Sequence, residues 1–257
     1  MKKVVDLAVR ANNHISENYV LLRLSPLNDE ILPDMIPGQF VNIAVDGSKT
    51  TFLRRPISIN RVSSDKRELD LLIRIAGDGT KALSEVKPGD NLNVVLPLGN
   101  GFPMNDVKGK RMLLIGGGVG VAPLMCYGEC LLHEGAFPEF LLGARTKADL
   151  LLIDEFDAIA QTHVMTEDGS VGEKGLVTQH PVLESDNYDA WVCCGPVPMM
   201  KAIAAKARQK DVECFVSLEN MMACGVGACL CCVEKTVRGN VCVCTEGPVF
   251  NIKDLTW

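Results

Sequence analysis

Four cysteines near the C-terminus have a spacing that strongly limits what this part of the chain can form. Cys224, Cys229, Cys232 and Cys244 follow the pattern C-x4-C-x2-C-x11-C. A [2Fe–2S] cluster needs four thiolates on a compact, curved backbone, and this spacing supplies them. Gly225 and Gly227 suit such a loop, because glycine adopts the unusual backbone angles of a tight turn at low cost. The pattern therefore predicts a [2Fe–2S] cluster and a role in electron transfer.

Zinc is the alternative occupant of these cysteines. Structural zinc sites usually combine two C-x2–4-C pairs set well apart, and only Cys229 and Cys232 form such a pair here. Two further cysteines, Cys231 and Cys242, lie among the four. The chemistry of the residues leaves the fourth ligand open between Cys242 and Cys244.

Cysteine usage and charge restrict the class of protein. Six of the 11 cysteines fall between positions 224 and 244. This clustering, the odd total and an N-terminus unlike a signal peptide disfavour a disulfide framework. The most apolar stretch, Met112–Cys126, is too short and too rich in glycine for a membrane span. A net charge of −6 argues against nucleic-acid binding. We expect a cytoplasmic protein.

Roughly the first hundred residues read as short strands separated by Pro, Gly, Asp and Ser. Several of them alternate apolar and polar residues, which is typical of half-buried antiparallel strands. The strands that we locate are Tyr19–Leu24, Gln39–Val45, Pro56–Asn60, Leu69–Ile75 and Asn91–Leu96. This spacing predicts a small antiparallel β-barrel, for which we expect six strands.

The pattern changes to alternating strands and helices near Met104. An apolar strand at Arg111–Ile115 runs into a glycine-rich turn, after which Leu124–His133 and Pro198–Lys210 are helical. Further strands are predicted at Glu139–Gly143, Thr162–Met165, Ala190–Cys194 and Glu213–Ser217, the last of which closes the sheet. Such alternation predicts an open, Rossmann-like parallel sheet. We expect three domains, 1–102, 103–219 and 220–257, the last built around the cysteines.

Four short motifs suggest flavin and nucleotide binding, and each is weak alone. Arg55–Ser58 lies in the barrel, and Gly77–Thr80 follows a barrel strand. Gly116–Pro123 lacks the G-x-G-x-x-G fingerprint but fits a turn that places a helix N-terminus at a phosphate. The alternative interpretation of this segment is a plain strand-to-helix turn that binds no ligand. Cys194–Pro196 stands at a strand end, where open α/β sheets bind ligands; the alternative is an ordinary buried cysteine.

Together these motifs resemble the ferredoxin–NADP reductase superfamily. Within it, the whole chain looks like the electron-transfer subunit of class 1B dihydroorotate dehydrogenase. The segments that carry this resemblance are Arg54–Ile59, Gly116–Pro123, Thr166–Ser170, Ser217–Gly225 and Cys244–Phe250.

The resemblance implies cofactors and site residues. FAD would be bound by Arg55, Pro56, Ile57, Ser58, Leu72, Ile73, Arg74, Gly79 and Thr80. NAD would be bound by Gly116, Gly117, Gly118, Gly120, Pro123, Cys194, Gly195 and Pro196. The cluster would be held by Cys224, Cys229, Cys232 and Cys244. Ser58 and Cys194 would line the hydride-transfer site, with Cys194 packing there and not acting as a nucleophile.

The resemblance also implies a partner. In this family a separate FMN-containing subunit oxidises dihydroorotate to orotate for pyrimidine biosynthesis, in an assembly of two of each subunit. Electrons would pass from that FMN through the cluster and FAD to NAD⁺. Arg145, which follows a predicted strand, could instead pair with a 2′-phosphate and favour NADP.

Two other functions compete with this one. The first is the small subunit of a related flavin and iron–sulfur enzyme, such as an NADH-dependent ferredoxin:NADP oxidoreductase or a sulfide dehydrogenase. In those relatives an aspartate commonly replaces the first cluster cysteine, so Cys224 favours the dihydroorotate system. The second is a zinc-stabilised regulator that senses a nucleotide. Such a regulator would not explain why Arg55–Ser58 and Cys194–Pro196 occur together in one chain.

Overall fold

Six antiparallel strands form a closed barrel in the computed structural model, which describes residues 2–28 and 30–257. The strands are β1 (Lys3–Ser16), β2 (Tyr19–Pro26), β3 (Phe40–Ile43), β4 (Arg55–Val62), β5 (Leu69–Arg74) and β6 (Asn91–Leu98), with helix α1 (Asp78–Ser84) between β5 and β6. Their order around the barrel is β1-β2-β5-β4-β3-β6, and β6 pairs with β1 to close it. The predicted six-stranded barrel is confirmed.

The barrel interior is filled by the apolar members of the alternating strands. Leu22, Val41, Leu71 and Val94 belong to its core and have no exposed surface. Burying each such side chain stabilises the fold by about 1.5–3 kcal/mol. Sequence patterning did not locate β1, whose second half carries Asn12, Asn13 and His14 and whose pairing with β2 contains register shifts.

The remaining elements begin with an α/β segment. They are β7 (Arg111–Gly117), α2 (Ala122–His133), β8 (Phe137–Ala144), α3 (Ile153–Ile159), β9 (Thr162–Thr166), β10 (Glu173–Lys174), β11 (Ala190–Cys194), α4 (Val197–Gln209), β12 (Glu213–Ser217), β13 (Val233–Thr236), β14 (Gly239–Cys242), α5 (Val243–Glu246) and β15 (Val249–Asn251). Strands β13 and β14 pair as a separate two-stranded sheet. The other strands form one sheet in the order β10-β9-β8-β7-β11-β12-β15.

The predicted parallel sheet is confirmed, apart from one edge. Strands β7 to β12 pair in parallel, and β7 and β11 are apolar along most of their length because both faces of such a sheet are covered. The prediction that Glu213–Ser217 closes the sheet is wrong. Strand β15 pairs antiparallel with β12, because the chain returns to this sheet after the cysteine-rich segment.

The chain divides into two compact units. The first contains Met1–Gly101, Glu219–Glu234 and Asn240–Pro248, and the second contains Phe102–Leu218, Lys235–Gly239 and Val249–Trp257. All four cysteines of the predicted cluster therefore belong to the unit that contains the barrel. The three-domain division stays a prediction. Among the described residues, none of the helices has the length and apolar character that a membrane crossing needs.

Candidate cofactor sites

The predicted flavin residues lie on three neighbouring elements of the barrel unit. Arg55–Ser58 begin β4, Leu72–Arg74 end β5, and Gly79 and Thr80 lie in the first turn of α1. The side chains of Leu72 and Ile73 are buried, so these two residues can offer only backbone groups to a ligand. Arg74 is exposed.

The structure brings Arg55 and the start of α1 together. A Cβ atom added at Gly79 would lie 2.9 Å from Cδ of Arg55 and 3.0 Å from Cγ2 of Thr51. The Thr80 hydroxyl accepts hydrogen bonds from the backbone N–H groups of Ala76 (2.9 Å) and Gly77 (3.1 Å), which fixes the turn before the helix. Arg55 Nε donates to the carbonyl of Arg54 (3.0 Å). A guanidinium beside a tight glycine turn suits a diphosphate, because it offers forked donors to oxygen atoms.

Replacing Gly79 with alanine is expected to weaken FAD binding at least several-fold. The new methyl group would displace the stem of Arg55, and overpacking of this kind costs about 1–3 kcal/mol. Gly77→Ala is the matched control, because its Cβ would meet nothing within 4 Å. Fluorescence titration of the two apoproteins with FAD compares their dissociation constants. Equal affinities would contradict a flavin site at this turn.

The predicted nicotinamide-nucleotide segments follow two neighbouring parallel strands. Strand β7 ends at Gly117 and leads through Gly118–Val121 into α2, while β11 ends at Cys194 and leads through Gly195 and Pro196 into α4. Cys194 lies opposite Gly116 in the strand register. The chain runs outward from β7 through β8 and β9, and then returns to place β11 on the other side of β7. Open α/β sheets bind ligands at such a switch point.

Backbone packs directly on backbone at this switch point. A Cβ at Gly120 would lie 2.6 Å from the carbonyl carbon of Cys194 and from Cα of Gly195. Gly195 has φ +157°, and its own Cβ would lie 3.1 Å from the backbone nitrogen of Gly117. The two glycine-containing segments thus form one close-packed surface. The Met199 side chain also packs here, with Sδ 2.6 Å from the Cβ position of Gly117. The lack of side chains on the glycines themselves suits the approach of a phosphate or a nicotinamide ring to the main chain.

The cysteine-rich loop directs backbone N–H groups at three of the four predicted ligands. Cys224 Sγ accepts hydrogen bonds from the N–H groups of Val226 and Cys229, both at 3.4 Å. Cys244 Sγ accepts one from Gly227 at 3.1 Å, and Cys232 Sγ accepts one from Cys244 at 3.4 Å. Gly225 and Gly227 have φ of +72° and +84°, as the tight loop was expected to require. Such donors stabilise sulfur atoms that carry negative charge.

The loop donors and burial act in opposite directions on two of the thiols. Hydrogen bonds from the backbone, that of Val226 foremost, lower the pKa of the Cys224 thiol to about 6. Burial and the neighbouring Cys232 thiol raise the pKa of Cys244 to about 12. Binding of a metal at Cys244 would therefore require loss of its proton, whereas Cys224 would bind readily as a thiolate.

Exposure does not separate the two ambiguous cysteines from these four, because Cys229 is exposed and Cys224 is half-buried. Cys231 is exposed, and Cys242 is half-buried at the end of β14. Cys242 lies beside Cys232, and burial together with that neighbour raises the pKa of its thiol. In residues 2–28 and 30–257, no three His, Cys, Asp or Glu side chains converge on a single ion position. A two-iron cluster does not require such convergence, because each iron takes two of the four thiolates.

Three protein-family profiles match the chain in the same order as these sites. Residues 6–102 match an oxidoreductase FAD-binding domain, and residues 114–205 match an oxidoreductase NAD-binding domain. Residues 219–256 match the iron–sulfur cluster binding domain of dihydroorotate dehydrogenase B. The chain is 43% identical over 231 residues to the dihydroorotate dehydrogenase B (NAD(+)) electron transfer subunit of Lysinibacillus sphaericus, covering 87% of this chain and 88% of that one.

The chain belongs to the family of dihydroorotate dehydrogenase B electron transfer subunits. The subunit of Bacillus pumilus is 37% identical over 260 residues and matches 99% of this chain and 98% of its own length. A solved structure of an NADH-dependent reduced ferredoxin–NADP oxidoreductase has a TM-score of 0.86 at 29% identity, covering 98% of this chain and 90% of that one. The chain is thus an oxidoreductase subunit with FAD-binding, NAD-binding and iron–sulfur-binding domains. The predicted family, fold, cofactor classes and electron-transfer function are confirmed.

Several contacts at these sites were not predicted from the sequence. Thr51 packs beside Gly79, Asn42 binds the loop that carries Cys224, and Asn100 Nδ2 donates to the carbonyls of Thr245 and Glu246, both at 3.0 Å. The only sequence signal at Asn42 is an amide within the otherwise apolar strand β3. No sequence signal marks Thr51 or Asn100, because each lies in a loop between strands, where polar residues are usual.

Proposed function

We propose that this subunit carries electrons from the FMN of a dihydroorotate-oxidising partner through a [2Fe–2S] cluster and FAD to NAD⁺, in pyrimidine biosynthesis. The observation that supports it most directly is the loop in which backbone N–H groups point at Cys224, Cys232 and Cys244. When bound, the cofactors supply one-electron transfer at the cluster and hydride transfer between flavin and nicotinamide. The assembly proposed is two copies of each subunit.

The proposed cluster ligands are Cys224, Cys229, Cys232 and Cys244. Cys244 is preferred to Cys242 as the fourth ligand, because it is fully buried and its sulfur accepts the Gly227 N–H. Cys242 Sγ accepts no backbone N–H within the described residues. Hydrogen bonds to ligating sulfurs tune the potential of a cluster and orient its ligands.

The flavin and nucleotide roles of individual residues are proposals of the same kind. Arg55, Gly79 and Thr80 would hold the FAD diphosphate, and Gly116–Gly118, Gly120 and Cys194–Pro196 would form the nicotinamide-nucleotide surface. The hydride-transfer role of Ser58 and Cys194 stays a prediction.

NAD is the proposed nucleotide, in place of NADP. Arg145, the residue that could pair with a 2′-phosphate, has its guanidinium 3.4 Å from the Asp149 carboxylate. That carboxylate offsets the positive charge and would repel a phosphate. The names of the bacterial relatives also specify NAD(+). A cytoplasmic location is proposed as well, since none of the 11 cysteines, all of which the structure describes, forms a disulfide.

The isolated chain is expected to reduce artificial dyes with NADH but not to oxidise dihydroorotate. Its described residues supply nucleotide and electron-transfer sites, and the proposal places the dihydroorotate site on the partner. Activity should be measured for the chain alone and for the complex recovered with a tagged copy. Orotate formation by the chain alone would refute this division.

The same preparation tests the partner and the competing function. Recovery of an FMN-containing subunit with dihydroorotate-dependent NAD⁺ reduction, and a mass corresponding to two of each chain, would support the proposal. Ferredoxin-dependent NADP reduction without any response to dihydroorotate would favour the related ferredoxin:NADP oxidoreductase. A colourless protein containing zinc would favour a nucleotide-sensing regulator.

A further inference from the structure

Asn42 lies on the barrel strand that pairs with the predicted flavin strand. In β3, Phe40, Val41 and Asn42 pair with Ser58, Ile57 and Pro56 of β4. The backbone carbonyl of Asn42 also accepts a hydrogen bond from Arg54 (3.3 Å), the residue before Arg55. Any displacement of Asn42 would therefore be transmitted to the strand that carries the flavin motif.

The side chain of Asn42 points to the cysteine-rich loop. It is completely buried, and Nδ2 donates to the carbonyls of Ala223 (3.5 Å) and Cys224 (3.4 Å). Its Oδ1 is buried without a hydrogen-bond partner. A buried amide with an unpartnered oxygen costs free energy. The donations to the loop are the polar contacts that offset this cost.

The Cys224 carbonyl receives a donor from outside the loop. The loop's own N–H groups at Val226, Gly227 and Cys229 are directed at sulfur atoms. The Asn42 side chain, from strand β3, donates to the Cys224 carbonyl. Asn42 thus satisfies a backbone acceptor of the loop while the loop N–H groups serve the sulfurs.

The loop also approaches Asn42 too closely for any side chain at the next position. A Cβ at Gly225 would lie 2.9 Å from Asn42 Nδ2 and 3.1 Å from Leu98 Cδ1. Gly225 is therefore constrained twice, by its positive φ and by its packing against the barrel. The contact between strand β3 and the loop is direct, with no room for an intervening residue.

We propose that Asn42 is a positioning residue that holds the Cys224 end of the cluster loop on the flavin barrel. The inference rests on the proposed ligand role of Cys224. Asn42 contacts neither electron carrier in this account. It fixes the carbonyl of the first ligand and thereby the orientation of its thiolate relative to the flavin strand, on which intramolecular electron transfer depends.

The test uses the full chain with two substitutions, Asn42→Asp and Asn42→Leu. Both keep the approximate size of the side chain and remove the N–H donors. Asn12→Asp is the matched control, because Asn12, on barrel strand β1, likewise donates through Nδ2 to backbone carbonyls, those of Leu83, Ser84 and Val86 at and just after the end of α1. Hydrogen exchange of the Val226 and Cys229 amides reports opening of the loop, and the EPR spectrum reports the cluster environment.

Loss of these hydrogen bonds should speed exchange of the two loop amides roughly 2- to 10-fold. The EPR signal of the reduced cluster should shift, and reduction of the cluster by NADH should slow while reduction of the flavin does not. Asn12→Asp should leave the loop amides and the EPR signal unchanged. A wild-type chain without a cluster would refute the proposed function itself.

Two results would overturn the inference while leaving the proposed function intact. One is wild-type loop exchange and an unshifted EPR signal in both Asn42 variants. The other is loss of FAD together with the cluster in both variants, which would make Asn42 a general structural residue of the barrel.

Discussion

Replacing Cys229 with serine should remove the cluster and stop dihydroorotate-dependent NAD⁺ reduction by the complex. Serine offers iron a poorly matched oxygen in place of a thiolate. Removing a residue that only hydrogen-bonds to a metal ligand lowers metal affinity or activity by about 10- to 100-fold. Because Cys229 is a proposed ligand itself, we expect coupled turnover to fall by at least about 100-fold. Cys229 is exposed, and its side chain therefore contributes little to the packed core. FAD content and NADH–dye activity should stay near wild-type levels.

Cys231→Ser is the matched control for this substitution. Cys231 lies two positions further along the same loop and is also exposed. It should keep its iron, its acid-labile sulfide and its coupled activity. Persistence of coupled turnover in Cys229→Ser would disprove the proposed electron path. Loss of the cluster from Cys231→Ser alone would show that the ligand set is misassigned.

Replacing Gly120 with alanine should raise the KM for NADH by roughly 5- to 150-fold. The new Cβ would meet the backbone of Cys194 and Gly195 at 2.6 Å, and backbone cannot rotate away as a flexible side chain can. Overpacking costs about 1–3 kcal/mol, which corresponds to that range of affinity. The segments after β7 and β11 must separate, and the proposed nucleotide surface is lost. Steady-state NADH–dye kinetics and the flavin spectrum measure the effect.

Gly128→Ala separates a loss of stability from a loss of the nucleotide surface. Gly128 lies in α2, where an added Cβ would collide with the Phe140 ring on β8. This variant should unfold at a lower temperature without a selective rise in the KM for NADH. Equal KM values for the two variants would contradict a nucleotide site at the β7–β11 switch point.

Local sequence patterns were sufficient to locate an element when its own residues show which of its faces is buried. Alternating apolar residues located five of the barrel strands, because each strand buries one face. The apolar runs at β7 and β11 indicated a sheet covered on both faces. The edge strand β15 was missed because it has three residues and is defined by its pairing with β12. No pattern within three residues specifies a distant partner strand.

The sequence by itself determined the four-cysteine spacing, and with it the expectation of an iron–sulfur cluster. It also determined the order of flavin, nucleotide and cluster segments, because these motifs are local. Only the tertiary structure showed that Gly120 packs on Cys194, that Gly79 packs on Arg55, and that Asn42 binds the carbonyl of Cys224. These contacts join residues from about 24 to 182 positions apart. Chain folding and close packing create them, and no local spacing encodes them.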